Sequence, residues 1–167
     1  CEKLLDGVSE EVLNVCRQIY KNGLDFDLNQ VETLFQWILK AYPNEIEDKS
    51  SLKNAFNTNA AYEGLVCPMI QDEKTKMYRP NFNYRYLTED VPFNLLIKKG
   101  IAELVGVKTP IMDEIITWAE KKLNREYLID GKLVGSSVAK SRAPQRYGIT
   151  SAKQLYNVYG LLTRKKS

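Results

Sequence analysis

The sequence predicts a mainly α-helical bundle with at most a small β-hairpin. Three observations carry that reading. Apolar residues recur at helical spacing in several separate segments. Helix start and stop signals bracket those segments, among them Ser9-Glu10-Glu11, Asn29 with Glu32, Gly106 and Thr109-Pro110. No long β-branched run reads as a parallel-sheet strand, and no internal repeat or low-complexity tract breaks the pattern.

Taken in order, Ser9 followed by two glutamates predicts a capped start, and Val12, Val15, Cys16 and Ile19 continue the stripe to the break at Asn22-Gly23. Asn29 with Glu32 three residues later has the form of a capping box. The apolar stripe Val31, Leu34, Phe35, Ile38 and Leu39 then predicts a second helix up to Pro43. A weaker third helix is expected from Ser51 through Leu52, Ala55 and Phe56 to about Ala61. Residues 64–84 carry Pro68, Pro80 and the polar run QDEKTK, which reads as an ordered loop with a short hairpin across Asp72 to Thr75. From Pro92 the positions Phe93, Leu96, Ile97, Ile101 and Leu104 predict a helix that stops at Gly106. Thr109-Pro110 opens another, through Ile115, Ile116 and Ala119 to about Leu123, packed antiparallel to it. YLIDGKLVG places a DG turn between β-prone runs and predicts a hairpin. A last helix is expected over residues 151–162, with Leu155, Val158, Tyr159 and Leu162 inward, before the basic end TRKKS.

The 167 residues fit one domain spanning 1–167, and 44% hydrophobic with 27% charged residues is the composition of a soluble globular protein. No apolar run approaches the ~20 residues that cross a bilayer, and CEKLLDGVSEE lacks the pattern of a signal peptide, so a cytoplasmic protein without a membrane partner is expected. Cys1, Cys16 and Cys67 lack CxxC spacing and predict neither a disulfide framework nor a metal site. There is no histidine, which removes the commonest general base and argues against a complete hydrolytic triad. There is also no GxGxxG and no GxxxxGK[ST], so no cradle for a dinucleotide or nucleoside triphosphate is recognisable. A chain that starts on Cys has the look of a piece of a longer polypeptide. Charge is uneven: residues 1–90 carry ten Lys and Arg against fifteen Asp and Glu, and residues 91–167 carry fourteen against six. The two parts are expected to attract different partners.

The densest charge lies in RYLTEDVPF, residues 85–93. Residue by residue, each charge has an ordinary reading. Asp90 is a preferred N-cap type ahead of the Pro92 helix, Glu89 is a second favourable negative charge there, and Arg85 is spaced to pair with Glu89 on the surface. Trp37 and Trp118 occupy apolar helical positions and read as core or domain-interface residues. Lys140, Arg142 and Arg146, with Arg164 to Lys166, offer an alternative function: a helical binding module with a basic surface for nucleic acid or protein. Neither a helix-turn-helix nor an aromatic-interleaved RNA motif accompanies them, and nucleic acid is not the expected partner.

NYRYLTEDVPF, with IAELVGVKTPIMDEII downstream, resembles the helical carboxy-terminal domain of the opine dehydrogenases, the octopine/nopaline dehydrogenase family. The resemblance implies the substrate domain of an NAD- or NADP-dependent oxidoreductase, which condenses an amino acid with an α-keto acid and reduces the imine. It also implies a preceding Rossmann domain of the same parent chain, absent from these residues. By the same resemblance Asp90 is the carboxylate that orients a catalytic histidine, and Arg85 is the arginine that contacts the cofactor pyrophosphate. The histidine has no counterpart here and is expected before Cys1.

Overall fold

The computed structural model describes residues 2–24 and 26–158. Seven α-helices occur among them: α1 (Glu2–Lys21), α2 (Leu34–Ala41), α3 (Leu52–Asn57), α4 (Arg85–Thr88), α5 (Leu96–Val105), α6 (Pro110–Leu123) and α7 (Ala152–Val158). Two small antiparallel pairs interrupt them, β1 (Met69–Gln71) with β2 (Tyr78–Pro80) and β3 (Leu128–Ile129) with β4 (Lys132–Leu133). The mainly α class is therefore correct, and both hairpins expected along the chain form, one more than the class reading allowed.

The main core lies where α1, α5 and α6 meet. Leu96, Met112, Ile116 and Ala119 are fully buried there, closed from one side by Leu133, Val138 and Ala143 and from the other by Val8 and Val12. A second core joins α2 to α3 through Ile38, Ile46, Leu52 and Ala55. Removing such apolar surface from water is the main force holding the helices together. α1 and α6 approach closely at Gly7, where an added Cβ would lie 2.9 Å from Ile111 Cγ1.

Several helix starts differ from the sequence reading, and at α2 and α6 a side chain of α1 takes a free amide. α1 begins at Glu2, so Ser9 caps nothing locally; its hydroxyl instead accepts from Leu34 N–H at 3.1 Å, at the start of α2. The box of α2 is Thr33 with Gln36, not Asn29 with Glu32, and Asp27 caps a 3₁₀ turn over Leu28–Gln30. Thr109 makes no cap bond with its side chain. The buried Glu11 on α1 accepts from Ile111 N–H at 2.7 Å and Met112 N–H at 3.0 Å, a full negative charge on the positive end of α6.

Other expectations stand in part. Ser51 caps α3, which ends at Asn57 and is followed by a 3₁₀ turn over Ala60–Tyr62. Asp72 Oδ1 accepts from Lys74, Thr75 and the Thr75 hydroxyl inside the first hairpin. In the second, Asp130 and Gly131 both take positive φ, 49° and 73°, as a two-residue turn of this type demands. Ser151 caps α7 and Leu155 is buried, but Val158 is exposed and Tyr156 packs inward in its place. Tyr159, Leu162 and the basic end lie outside the described residues, as does Cys1. Cys16 is half-buried, which pushes its thiol up, and Cys67 is exposed. Trp37 and Trp118 are 49% and 45% exposed, so neither is a core residue. Among the described residues no helix is long and apolar enough to cross a membrane.

Candidate functional site

RYLTEDVPF is delivered from the first hairpin by Asn81, whose N–H bonds to Pro68 O at 2.9 Å and whose carbonyl accepts from Tyr84 N–H at 3.1 Å. The chain then winds almost continuously from Arg85 to Val105. α4 passes through Glu89 and Asp90 into a π-turn over Val91–Leu95, where Leu96 N–H reaches Val91 O five residues back, and so into α5. Pro92 lacks the N–H that would continue the ladder, and a single π-turn absorbs the irregularity. Val91 and Pro92 are buried, which fixes the turn against the core.

This geometry decides the reading of Asp90. An N-cap needs an extended backbone so that its side chain folds back on the first free amides. Asp90 is instead αR, φ −66° and ψ −33°, within a helical run, and makes no cap bond. The capping expectation is therefore wrong. Its carboxylate is exposed and forms no hydrogen bond or ion pair among the described residues. Lys98 stands two turns further along the same helical run, and its ammonium donates to Asn94 Oδ1. Burial pushes the Lys98 pKa down and the charge of Asp90 pushes it back up.

Arg85 makes the surface pair with Glu89 that its spacing predicts. Its Nε lies 3.6 Å from Glu89 Oε2, both side chains more than half exposed. An exposed pair at this spacing contributes roughly 0.3–0.5 kcal/mol and leaves the residue available. No bond engages the two terminal nitrogens of its guanidinium among the described residues. Around it Tyr84 and Tyr86 meet edge to face at 4.9 Å, and Tyr86 is 63% exposed. Phe93 is also exposed, with the Arg142 guanidinium 5.3 Å above its ring. The structure thus brings Arg85, Asp90, Lys98 and Arg142 to one helical run and the loop bonded to it. The sequence reading named neither Lys98 nor the Phe93–Arg142 contact. The available signal was the spacing Asp90, Asn94, Lys98, which puts one residue per turn along a single strip.

A second charged group lies one residue away and has the opposite character. Lys99 is only 4% exposed; its ammonium is 2.6 Å from Asp113 Oδ1 on α6 and 3.6 Å from Glu103 Oε1. Glu103 also accepts from Leu133 N–H at 3.0 Å, and burial pushes its carboxyl above the usual range against the pull of those partners. This cluster ties α5, α6 and β4 together. Lys140, Arg142 and Arg146, the described part of the basic surface, do not form one patch of free charge: Arg146 donates to Ser141 O at 2.7 Å and lies over Tyr147.

The comparisons agree with the motif. Residues 1–123 match the model of the NAD/NADP octopine/nopaline dehydrogenase α-helical domain. The chain is 40% identical over 156 residues to opine dehydrogenase of Haliotis discus hannai, covering 93% of this chain and 38% of the relative. It is 40% identical over 148 residues to tauropine dehydrogenase of Arabella iricolor, covering 89% and 37%. A solved structure of octopine dehydrogenase with NADH and L-arginine superposes with a TM-score of 0.86 at 38% identity, over 92% of this chain and 38% of that one. The chain spans under two fifths of the length of these relatives. Its fold, its motif and the family match agree, and the chain belongs to the octopine/nopaline dehydrogenase family as an α-helical domain of that type.

Proposed function

We propose that these residues are the helical substrate domain of an NAD- or NADP-dependent opine dehydrogenase, acting with a dinucleotide-binding domain of the same parent chain. The enzyme condenses the amino group of an amino acid with an α-keto acid and reduces the resulting imine. The observation that carries this reading is the state of Asp90: a carboxylate in the family string, held at a buried π-turn, yet exposed and without a hydrogen bond or ion pair among the described residues. A carboxylate so placed is free to accept a hydrogen bond from an imidazole brought by the rest of the enzyme, fixing its tautomer and stabilising the imidazolium. The other imidazole nitrogen then exchanges a proton with the substrate carbonyl or carbinolamine.

Arg85 fits the cofactor role on the same kind of evidence. Its terminal nitrogens carry no partner among the described residues, and a guanidinium fork matches two phosphate oxygens where a lysine offers a point charge. When bound, the nicotinamide supplies the hydride. The chain's own contribution is to hold the pyrophosphate and to position the proton-transferring group. The exposed aromatic rings of Tyr84, Tyr86 and Phe93 are those expected of a face that meets another domain. A cytoplasmic location is part of this reading.

The test is turnover of NADH or NADPH by the full-length enzyme with amino acid and keto acid pairs. The 167 residues alone are expected to show none. Asp90→Asn keeps the shape but removes the charge, and kcat should fall on the order of 10²–10⁴-fold with cofactor affinity unchanged. Arg85→Lys should weaken cofactor binding by roughly 1–2 kcal/mol. Parent-like kcat in Asp90→Asn removes Asp90 from the mechanism.

A further inference from the structure

Of the three cations Arg85, Lys98 and Arg142, carried by this helical run and the loop bonded to it, two are engaged and one is not among the described residues. Arg85 pairs with Glu89, and Lys98 donates to Asn94. Arg142 pairs with no carboxylate among the described residues, and none of its side-chain donors makes a hydrogen bond there. It is nevertheless held in place. Its N–H bonds to Pro92 O at 3.0 Å, inside the π-turn, and its neighbours Ser141 and Ala143 are fully buried. The Ser141 hydroxyl donates to Val138 O at 2.8 Å and accepts from Ala143 N–H at 3.1 Å, which locks the backbone on both sides. The exposed guanidinium rests over Phe93, whose N–H bonds to Glu89 O at 2.9 Å. That four-residue bond makes the turn α-spaced, so Phe93 lies beside Asp90 at i and i+3.

We propose that Arg142 receives the carboxylate of the α-keto acid substrate beside Asp90, an assignment that rests on the reaction proposed above. The proton-handling group oriented by Asp90 acts at the keto carbonyl, and the carboxylate of an α-keto acid is bonded directly to that carbon. Its negative charge arrives next to a carboxylate that is itself anionic, and the repulsion has to be offset by a cation within a few ångströms. Arg142 offers one with a planar fork of donors, a fixed backbone and no competing acid. Arg146 on the same loop is already held in part, its Nη1 donating to Ser141 O and its guanidinium lying over Tyr147.

The experiment uses the full-length enzyme saturated with NADH, with oxamate as a keto acid mimic that cannot be reduced. Arg142→Gln should weaken oxamate binding, read by calorimetry, and raise KM for the keto acid, each on the order of 10–100-fold, with the NADH dissociation constant and Tm unchanged. Arg142→Lys, which keeps the charge and the stem, should recover part of both. Unchanged oxamate affinity and keto acid KM in both variants overturn the proposal. So do a rise confined to the amino acid KM, a loss confined to NADH affinity, and a loss confined to binding of duplex DNA. An enzyme that turns over no amino acid and keto acid pair, yet binds oxamate through Arg142, refutes the reaction and supports the carboxylate site. Normal turnover with an Arg142→Gln variant that binds oxamate like the parent refutes the site and leaves the reaction standing.

Discussion

Lys98 and Lys99 are consecutive residues of one helix, and they belong to two regions with opposite uses of charge. Lys99 points into the contact with α6 and β4, where Asp113, Glu103 and the Leu133 amide close around it. Lys98 stands on the strip that begins at Asp90, where the carboxylate has no partner and the surface is aromatic and exposed. In the first region both carboxylates face the one buried ammonium within the domain, so the charges serve the fold. In the second the fold supplies a buried Val91-Pro92 turn as scaffold and leaves Asp90 and the Arg142 guanidinium without an ion-pair partner among the described residues. Charge left open on a rigid turn is what the proposed roles of Asp90 and Arg142 require.

The contrast can be broken by substitutions whose effects should separate cleanly. The largest is Asp90→Asn in the full-length enzyme: the kcat loss proposed above should come with no change in Tm, because the side chain makes no contact that folding requires. A fall in Tm of several degrees would move Asp90 into the structural region. Next is Lys99→Met in this chain, which leaves Glu103 and Asp113 facing each other across a buried gap. Removing one partner of such a cluster should cost roughly 3 kcal/mol in urea unfolding, moderated by the partial exposure of the two carboxylates. No measurable loss would show that the cluster is replaceable by packing alone.

A smaller effect concerns pH. The folded-state pKa of Glu103 is raised, chiefly by burial, so the folded protein holds that proton more tightly than the unfolded chain does. Its favourable contribution is complete below the unfolded pKa near 4.5 and is lost as pH rises through the folded value. Stability measured for the parent and for Glu103→Gln from pH 4 to 7 should therefore shift in favour of the variant as pH rises. A difference independent of pH would mean that Glu103 titrates as it does in the unfolded chain. Smallest is Glu89→Gln, which removes the exposed partner of Arg85 and should change stability by less than about 0.5 kcal/mol.

Much of this architecture is legible in the residues. Gly106, Pro110, Ser51 and the Asp130-Gly131 turn are local signals, and each is found where the sequence places it, because the groups that satisfy them lie within a few residues. The misplaced elements share another cause. Ser9 and Glu11 look like the capped start of a helix, but their oxygens serve amides 25 and 100 residues away. The Lys99 cluster was visible only as a Lys–Glu pair at i, i+4. Asp113 joins it through the packing of α6 on α5, which no local spacing reports.

The sequence by itself determined the helical class, the two tight turns and the charge-dense string, since periodicity and turn chemistry act over one or two turns of chain. Tertiary structure alone decided which charges in that string find partners within the fold. Whether Asp90 caps a helix or stands open depends on one backbone conformation, set by the burial of Val91 and Pro92 against residues far along the chain. The company of Arg142 depends on a loop that returns to Pro92 fifty residues later. Burial and long-range pairing are properties of the folded surface, and the linear order of residues carries no measure of which side chains that surface leaves without a partner.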